Sequence, residues 1–245
     1  MSQAYFCFTL WYMNKKSFLL LMLCLAIFIT NGQEIISPPG INENYLEDQF
    51  YAGIGYNFLT DLPSEDVIQR NLSYNVQFGF IKDIPVNKNR NFGFGLGVGY
   101  ETNSYYSNIL AEESTVGATY RFSEVNDSLN RSKFETHSIA LPFEIRWRTS
   151  NAIDYKFWRI YAGVKAEYLF SRRSIARFNS SQKDINFSNS NISEWQYGLT
   201  LNFGYNTWNI HFYYSLNPLL EETALLNGEP IKFRPLRVGV IFYIL

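Results

Sequence analysis

The chain has 245 residues, of which 18% are aromatic and 18% are charged, and its formal net charge at pH 7 is −1. This length suffices for one large β domain or two small ones, and the composition excludes an acidic disordered chain. The near-neutral charge gives no basis for nucleic-acid binding, which requires a basic surface.

The beginning of the sequence predicts a removable targeting segment over residues 1–32. Two lysines precede an apolar run over residues 18–29, and small residues with the spacing of a cleavage site follow it. A membrane-spanning helix needs about 20 apolar residues, and this run is shorter. We therefore expect cleavage before Gln33 rather than a retained anchor. Such a signal begins naturally at Met13, which makes residues 1–12 an over-extended start.

Both cysteines, Cys7 and Cys24, lie within residues 1–32. The mature chain that we predict therefore has no disulfide bond, no thiol nucleophile and no cysteine-based metal site. A leucine precedes Cys24, whereas a lipoprotein signal has a small residue at that position, so we expect no lipid anchor.

Residues 33–48 are polar, contain a Pro-Pro-Gly sequence and predict an irregular, periplasmic lead-in. From residue 49 onward, apolar and polar side chains alternate with a period of two, as in β-strands with one apolar face. In FGFGLGVGY, residues 92–100, glycine occupies the second face almost alone. We predict eight strands, over residues 50–58, 72–80, 92–100, 139–147, 158–170, 195–203, 208–216 and 236–244.

Short and long connections alternate between these strands. The short connections are residues 82–90, 150–156 and 206–207. The long, polar connections are residues 60–71, 103–133, 172–193 and 218–234. A weaker alternating segment, residues 115–122, is interpreted as part of a hairpin in the second long loop. An even strand number with short turns at one end and long loops at the other is the layout of an outer-membrane β-barrel.

We therefore predict an all-β, eight-stranded antiparallel transmembrane β-barrel over residues 49–245, located in the outer membrane of a Gram-negative cell. A soluble β-sandwich is the alternative, because its strands alternate too. Three features favour the barrel: strands of about ten residues, aromatic residues at strand ends, and few lysines and glutamates on the polar face.

The interior of an eight-stranded barrel is just wide enough to be filled by side chains. We expect the glycines of residues 92–100 to make room there for long side chains from other strands. Buried charges must be paired, because an unpaired one is costly. The sequence predicts an interior charge network that comprises Glu144, Arg146, Arg148, Arg159, Lys165 and Glu167. Pro142 lacks a backbone donor, so we expect a bulge or a gap in the sheet there.

Two stretches carry a family resemblance. They are FETHSIALPFEIRWRTSNAIDYKFWRIYAGVKAEYLF, residues 134–170, and the ending NPLLEETALLNGEPIKFRPLRVGVIFYIL. Both resemble the PorT-like outer-membrane β-barrel family. The name-giving PorT protein is a component of the type IX secretion machinery, which moves cargo proteins across the outer membrane. The resemblance implies a barrel that is an accessory of protein secretion, with secretion-machinery or other envelope proteins as partners.

Little in the sequence indicates catalysis. There is no phosphate-binding loop, HExxH or GxSxG motif, and we expect no metal or cofactor. Glu135, His137 and Ser138 raise the possibility of a lipid A-modifying hydrolase, but adjacent strand residues point to opposite faces. His211 lies on the inward face and is interpreted as a structural histidine. We predict a non-enzymatic protein, with a structural or surface-binding barrel unrelated to secretion as the alternative, and a passive channel disfavoured by the charged interior.

A basic cluster, Ser171–Ser174 together with Arg177, lies where a strand enters a long loop. Arginine binds phosphate well, so the cluster predicts contact with lipopolysaccharide phosphates, with outer-membrane lipid as the general partner. A solvated loop entrance is the alternative.

Overall fold

The computed structural model describes residues 49–69, 72–87, 90–115, 117–123, 129–149, 158–179 and 183–244. The predicted targeting segment, the lead-in and the turn at residues 150–156 lie outside the described residues. None of the described residues forms a helix that is long and apolar enough to cross a membrane.

The described residues form β-strands joined by turns and loops. The strands are β1 (Gln49–Thr60), β2 (Tyr74–Pro85), β3 (Phe92–Ser107), β4 (Ile109–Ser114), β5 (Gly117–Phe122), β6 (Leu129–Arg148), β7 (Trp158–Phe178), β8 (Ile185–Ser188), β9 (Trp195–Tyr205), β10 (Trp208–Ser215), β11 (Leu225–Leu226), β12 (Glu229–Pro230) and β13 (Arg234–Ile244).

Eight of these strands close into an antiparallel barrel in the order β1-β2-β3-β6-β7-β9-β10-β13. The last strand returns to the first along its whole length, from Phe50 opposite Ile244 to Thr60 opposite Arg234. Closure leaves no unpaired strand edge, which hydrocarbon demands. The predicted eight-stranded antiparallel barrel is confirmed, and the hairpin within the second long loop is formed by β4 and β5.

The barrel is apolar on the outside and polar on the inside. Leu201 and Phe212 point outward and are 43% and 39% exposed, whereas the inward Asn202 and Asn209 are 1% and 2% exposed. A soluble sheet would bury the apolar face and expose the polar one. The observed arrangement fits a wall that faces lipid and excludes the soluble sandwich.

Outward aromatic side chains concentrate at the two ends of the barrel. Near the short turns, the rings of Trp208 and Phe242 pack edge-on with centroids 4.6 Å apart. Near the long loops, the centroids of Tyr168 and Trp195 are 5.1 Å apart. We call the aromatic ring at the long-loop end the outer girdle; it includes Tyr100, Tyr168, Phe170 and Trp195. Such girdles lie at membrane interfaces, and long loops of outer-membrane barrels are extracellular.

Strands β3, β6 and β7 continue past the outer girdle, with lengths of 16, 20 and 21 residues. The sequence predicted loops over residues 103–133 and 172–193, and these boundaries were wrong. For β3 and β6 the reason is that the outward side chains become polar past the girdle, as at Lys133 and Glu135, while the pairing continues in one register. For β7 the reason is a bulge at Phe170, where the pairing of β7 with β6 shifts by one residue. An extra residue reverses which positions face outward, so the period-two pattern breaks at that point.

Pro142 interrupts the sheet as predicted. Pairing between β3 and β6 stops at Leu96–Phe143 and resumes at Gly99–Ala140 in the same register. The irregularity is therefore a local gap rather than a bulge, because no residue is inserted.

Inward glycines give space to bulky residues of neighbouring strands. A Cβ atom at Gly95 would lie 2.7 Å from Nε of Arg146, and one at Gly99 would collide with the hydroxyl of Tyr51. A Cβ atom at Gly79 would lie 2.7 Å from the same Tyr51 ring. The glycine face of β3 therefore accommodates an arginine, as expected, and also a tyrosine that the sequence did not indicate.

Replacing Gly99 with alanine should destabilise the folded barrel by about 1–3 kcal/mol, because the new methyl group overlaps the buried Tyr51 ring. Gly55→Ala is the matched control, since its nearest neighbour, the carbonyl oxygen of Val238, is 3.1 Å away. The measurement is gel mobility of detergent-purified protein after heating, with the temperature at which the folded band converts. Equal conversion temperatures for the two variants would contradict the packing argument.

Candidate functional site

The outer half of the lumen is filled by four charged residues, Glu101, Lys165, Glu167 and Arg237, which we call the outer cluster. Nη1 of Arg237 donates to Oε2 of Glu101 at 2.7 Å and to Oε1 of Glu167 at 2.6 Å, and Nη2 donates to Oε2 of Glu167 at 3.0 Å. Lys165 donates to Glu101 and lies 3.5 Å from Glu167. The two cations, from β7 and β13, thus neutralise the two carboxylates, from β3 and β7.

Aromatic rings complete this outer cluster. The guanidinium carbon of Arg237 lies 4.0 Å from the ring centroid of Tyr213, and Nζ of Lys165 lies 4.7 Å from the same centroid. Both distances fit cation–π contacts in a desolvated site. Nη2 of Arg237 also donates to the hydroxyl of Tyr105 at 3.4 Å. The tyrosines thereby fill the space around the ion pairs and exclude water.

The half of the lumen near the short turns contains a second group, Asp83, Glu144, Arg146 and Arg148, which we call the inner cluster. Asp83 accepts hydrogen bonds from Nη1 of Arg146 at 3.0 Å and from Nη2 of Arg148 at 2.7 Å. Nε of Arg146 donates to Oε2 of Glu144 at 3.0 Å. All four residues are at most 3% exposed, so these are buried ion pairs and not surface contacts.

Polar and aromatic neighbours hold the inner cluster in position. Nδ2 of Asn202 donates to Glu144 at 3.1 Å, and the ring of His211 bonds the amide oxygen of Asn202 at 2.6 Å. The guanidinium of Arg146 lies 4.5 Å from the ring centroid of Tyr161. His211 thus takes a structural position behind Asn202, as the sequence predicted for an inward histidine.

The six residues of the predicted charge network do not form one group. Glu144, Arg146 and Arg148 lie in the inner cluster, whereas Lys165 and Glu167 lie in the outer cluster. The remaining residue, Arg159, is 3% exposed and its guanidinium lies 5.9 Å from the ring centroid of Tyr243.

Three members of the clusters were missed from the sequence. Asp83 lies in a segment that was predicted to be a turn, and Glu101 lies just past the predicted end of its strand. Both strands are longer than their alternation indicates. Arg237 occupies an inward position of a correctly predicted strand. Its inward direction could have been predicted from the sequence, because it lies two residues from Gly239 and therefore on the same face.

Little space remains between the two clusters. A cavity lined by Gln77, Lys165 and His211, among others, has a volume of about 10 Å³. A single water molecule needs roughly 10–15 Å³. This cavity therefore holds at most about one water molecule.

The long loops fold together over the extracellular end of the barrel into a unit that we call the cap. Strands β4, β5, β11 and β12 form a four-stranded sheet in it. The apolar core of the cap is continuous with the barrel mouth. It includes Leu59, Tyr105, Ile109, Tyr120, Phe134, Leu169, Phe187, Ile192, Leu220, Leu226 and Phe233. Because every long loop contributes to this core, the cap is a folded structure that covers the lumen.

Asparagine side chains link the separate loops of the cap. Asn189 exchanges hydrogen bonds with the hydroxyl of Tyr120 on β5 and donates to Ser174 at 2.8 Å. Asn191 accepts from the backbone of Ala118 at 3.2 Å. Burial raises the pKa of Tyr120 to about 12, although the hydrogen bond with Asn189 lowers it, so the hydroxyl stays protonated at neutral pH.

The residues considered for hydrolysis do not assemble a catalytic site. Ser138 points into the barrel and is 0% exposed, whereas Glu135 and His137 lie on the outward face. Nδ1 of His137 bonds the hydroxyl of Tyr100 at 2.6 Å, and its Nε2 lies 3.7 Å from Oε1 of Glu135. A serine nucleophile must reach its base within hydrogen-bond distance. The described residues also contain no group of histidines and carboxylates that could hold a metal ion.

Comparison with known protein families shows to which family the chain belongs. The family described as "Outer membrane protein beta-barrel domain" matches residues 31–221, which is more than half of the sequence. The chain belongs to this family. Membership places the protein in the outer membrane of a Gram-negative cell, as predicted. No curated protein matches the chain.

Solved structures of low sequence identity are similar to this outer membrane β-barrel. One is Ail, the attachment invasion locus protein of Yersinia pestis, with 12% identity, a TM-score of 0.36, and coverage of 80% of this chain and 97% of that chain. Another is Ail in complex with the heparin analogue sucrose octasulfate, with 11% identity, a TM-score of 0.32, and coverage of 81% and 99%.

Replacing Arg237 with leucine should destabilise the barrel by about 3–5 kcal/mol, because it leaves two buried carboxylates with one lysine. Arg234→Leu is the matched control from the same strand. Arg234 is more exposed and lies 3.3 Å from Asp61, so its loss should cost about 1 kcal/mol or less. The measurement is the midpoint of urea unfolding in detergent, followed by tryptophan fluorescence.

The double variant Arg237→Leu/Glu167→Gln tests the reason for that loss. It removes one charge of each sign, so it should recover part of the stability lost in Arg237→Leu. A double variant that is as unstable as the sum of the single variants would show that packing, and not charge balance, accounts for the effect.

Phe233→Ala should open the cap while leaving the barrel folded. Phe233 is 0% exposed and its ring centroid lies 6.0 Å from that of Phe134, so truncation should cost the cap about 3–5 kcal/mol. The expected result is faster cleavage of the loops by protease added to intact cells, with an unchanged heat-shift of the gel band. The control is Leu225→Ala, also in the cap but 45% exposed, which should leave the cleavage rate unchanged. Equal cleavage rates for the two variants would contradict a packed cap.

Proposed function

We propose that this outer membrane β-barrel is a closed, non-enzymatic platform for other envelope proteins, and that it acts as a PorT-like accessory of protein secretion. The observation that supports the proposal most strongly is that two separate features close the lumen: the ion clusters inside it and the cap at its extracellular end. A barrel closed in this way transports nothing through its own interior and acts through its surfaces.

The outer surface of the cap is suited to protein recognition. Its backbone is held by a common core, so a partner would bind it without first ordering mobile loops. Its exposed charged residues are mostly acidic. They include Asp61, Glu65, Asp66, Glu113, Glu221, Glu222 and Glu229. A partner with a basic surface would be complementary to it.

The secretion role is supported by the resemblance of residues 134–170 and of the C-terminal stretch to the PorT-like family. A structural or surface-binding role unrelated to secretion uses the same closed barrel and the same cap. The two proposals differ in what happens to exported proteins when the barrel is removed.

A deletion strain separates them. Loss of exported cargo proteins from the medium, with their accumulation in the periplasm, is the result expected for a secretion accessory. Complementation with the wild-type chain should restore export, and Phe233→Ala, which loosens the cap, should restore less of it than Leu225→Ala. Normal export in the deletion strain would reject the secretion role and leave the surface-binding role.

Planar-bilayer recordings test the closure itself. We expect no stepwise ion conductance from the purified wild-type protein, because the outer and inner clusters fill the lumen. Stable conductance steps would overturn the closed-platform proposal and favour a channel.

A further inference from the structure

A basic surface lies on the outside of the barrel just beyond the outer girdle. It is built by outward side chains of the extended ends of β6 and β7, namely Arg131, Lys133, Arg173 and Arg177, and we call it the basic collar. Arg131, Arg173 and Arg177 are exposed, and Lys133 is partly exposed. The collar therefore faces the surroundings of the barrel and not its interior.

The pairing of the two strands brings like charges together. Arg131 lies directly opposite Arg177 across the β6–β7 pair, and Arg173 lies opposite Glu135. Like charges in directly opposite positions destabilise a sheet. The stability of the fold therefore does not explain why Arg131 lies opposite Arg177. An anion bound between the two guanidinium groups would explain it.

The chain itself neutralises the collar only in part. Lys133 bonds Glu135, and Nη1 of Arg177 lies 3.8 Å from Asp184 in a pair of half-exposed side chains. Such an exposed pair contributes little. Among the described residues, neither Arg131 nor Arg173 has a carboxylate oxygen within 4.0 Å, although Arg173 interacts electrostatically with Glu135 across the strand pair.

The sequence-based basic cluster is corrected by this arrangement. Arg172 does not belong to the outward surface, because the bulge at Phe170 reverses its direction. Its guanidinium donates to the carbonyl of Ile192 at 2.7 Å and to Glu194 at 2.9 Å, and so helps to hold the cap loops. Arg131 and Lys133, which lie far from that cluster in the sequence, take its place.

The position of the collar indicates what it contacts. The rings of Tyr100, His137 and Phe170 form one group at the outer girdle, with centroids 6.0–6.4 Å apart. Nε2 of His137 lies 3.7 Å from Glu135, which is opposite Arg173 of the collar. Girdle aromatics mark the membrane interface, so side chains just beyond them lie at the depth of the outer-leaflet head groups. Arginine binds phosphate oxygens through two parallel hydrogen bonds.

We propose that the basic collar binds the phosphate groups of a phosphorylated glycolipid in the outer leaflet. The cap lies farther from the membrane, and its exposed charged residues are mostly acidic, with Lys183 and Lys232 as basic exceptions. Anionic groups are therefore attracted to the collar more strongly than to the cap. This site is independent of the proposed platform function, since it concerns lipid contact on the barrel wall and not the cap.

The test uses the full barrel reconstituted in phosphatidylcholine nanodiscs, with lipid A added as the probe and its retention measured by native mass spectrometry. The variant is Arg131→Gln/Arg173→Gln. The control is Arg121→Gln/Arg234→Gln, which removes two arginines that are paired with Glu112 and Asp61. The variant should bind bisphosphorylated lipid A at least about tenfold more weakly than wild type, because charge-assisted hydrogen bonds are lost. The control should bind like wild type.

Three results would overturn the proposal. The first is unchanged binding by the collar variant when its heat-shift shows that it is folded. The second is equal binding of dephosphorylated lipid A, which would exclude phosphate as the recognised group. The third is equal binding of phosphatidylglycerol, which would replace the glycolipid with any anionic head group.

Discussion

The structure depends on neutralising charge inside a narrow barrel. Arg237 is completely enclosed, and two carboxylates from two other strands, Glu101 and Glu167, receive its hydrogen bonds. These contacts connect strands that are not neighbours in the sheet, so they hold the barrel across its diameter as well as around its wall. The glycines of β3 contribute to this arrangement, because their missing side chains leave room in the lumen for Arg146 and Tyr51.

A filled lumen determines which surfaces remain for function. The wall meets lipid, the cap meets the outside of the cell, and the ends of β6 and β7 lie between them. Each of these surfaces has its own chemistry: apolar and aromatic on the wall, acidic on the cap, basic on the collar. The surface of the protein therefore has three chemically distinct regions.

The sequence predicted the parts of the structure in which one face of a strand is uniformly apolar. Leu201 and Asn202 alternate because one meets lipid and the other meets the lumen, and such alternation identifies a strand directly. The prediction ended at Tyr100 and near Phe170, where the strands leave the membrane and both faces become mixed. Glu101 was missed for this reason. Asp83 was missed because the alternation of β2 breaks just before it, where the inward Ile81 is apolar and the outward Lys82 is charged. The cap was also beyond prediction, because its core is assembled from single apolar residues in separate loops.

The closing seam of the barrel joins β1 to β13, the two ends of the described chain. Pairing between segments so distant in sequence is slow, because the entropy of a very large loop is lost before the pair is stabilised. The strand β1 can pair with β2 early, but its other edge stays open until β13 has been synthesised, and the unfinished sheet needs to be shielded from other strands until then.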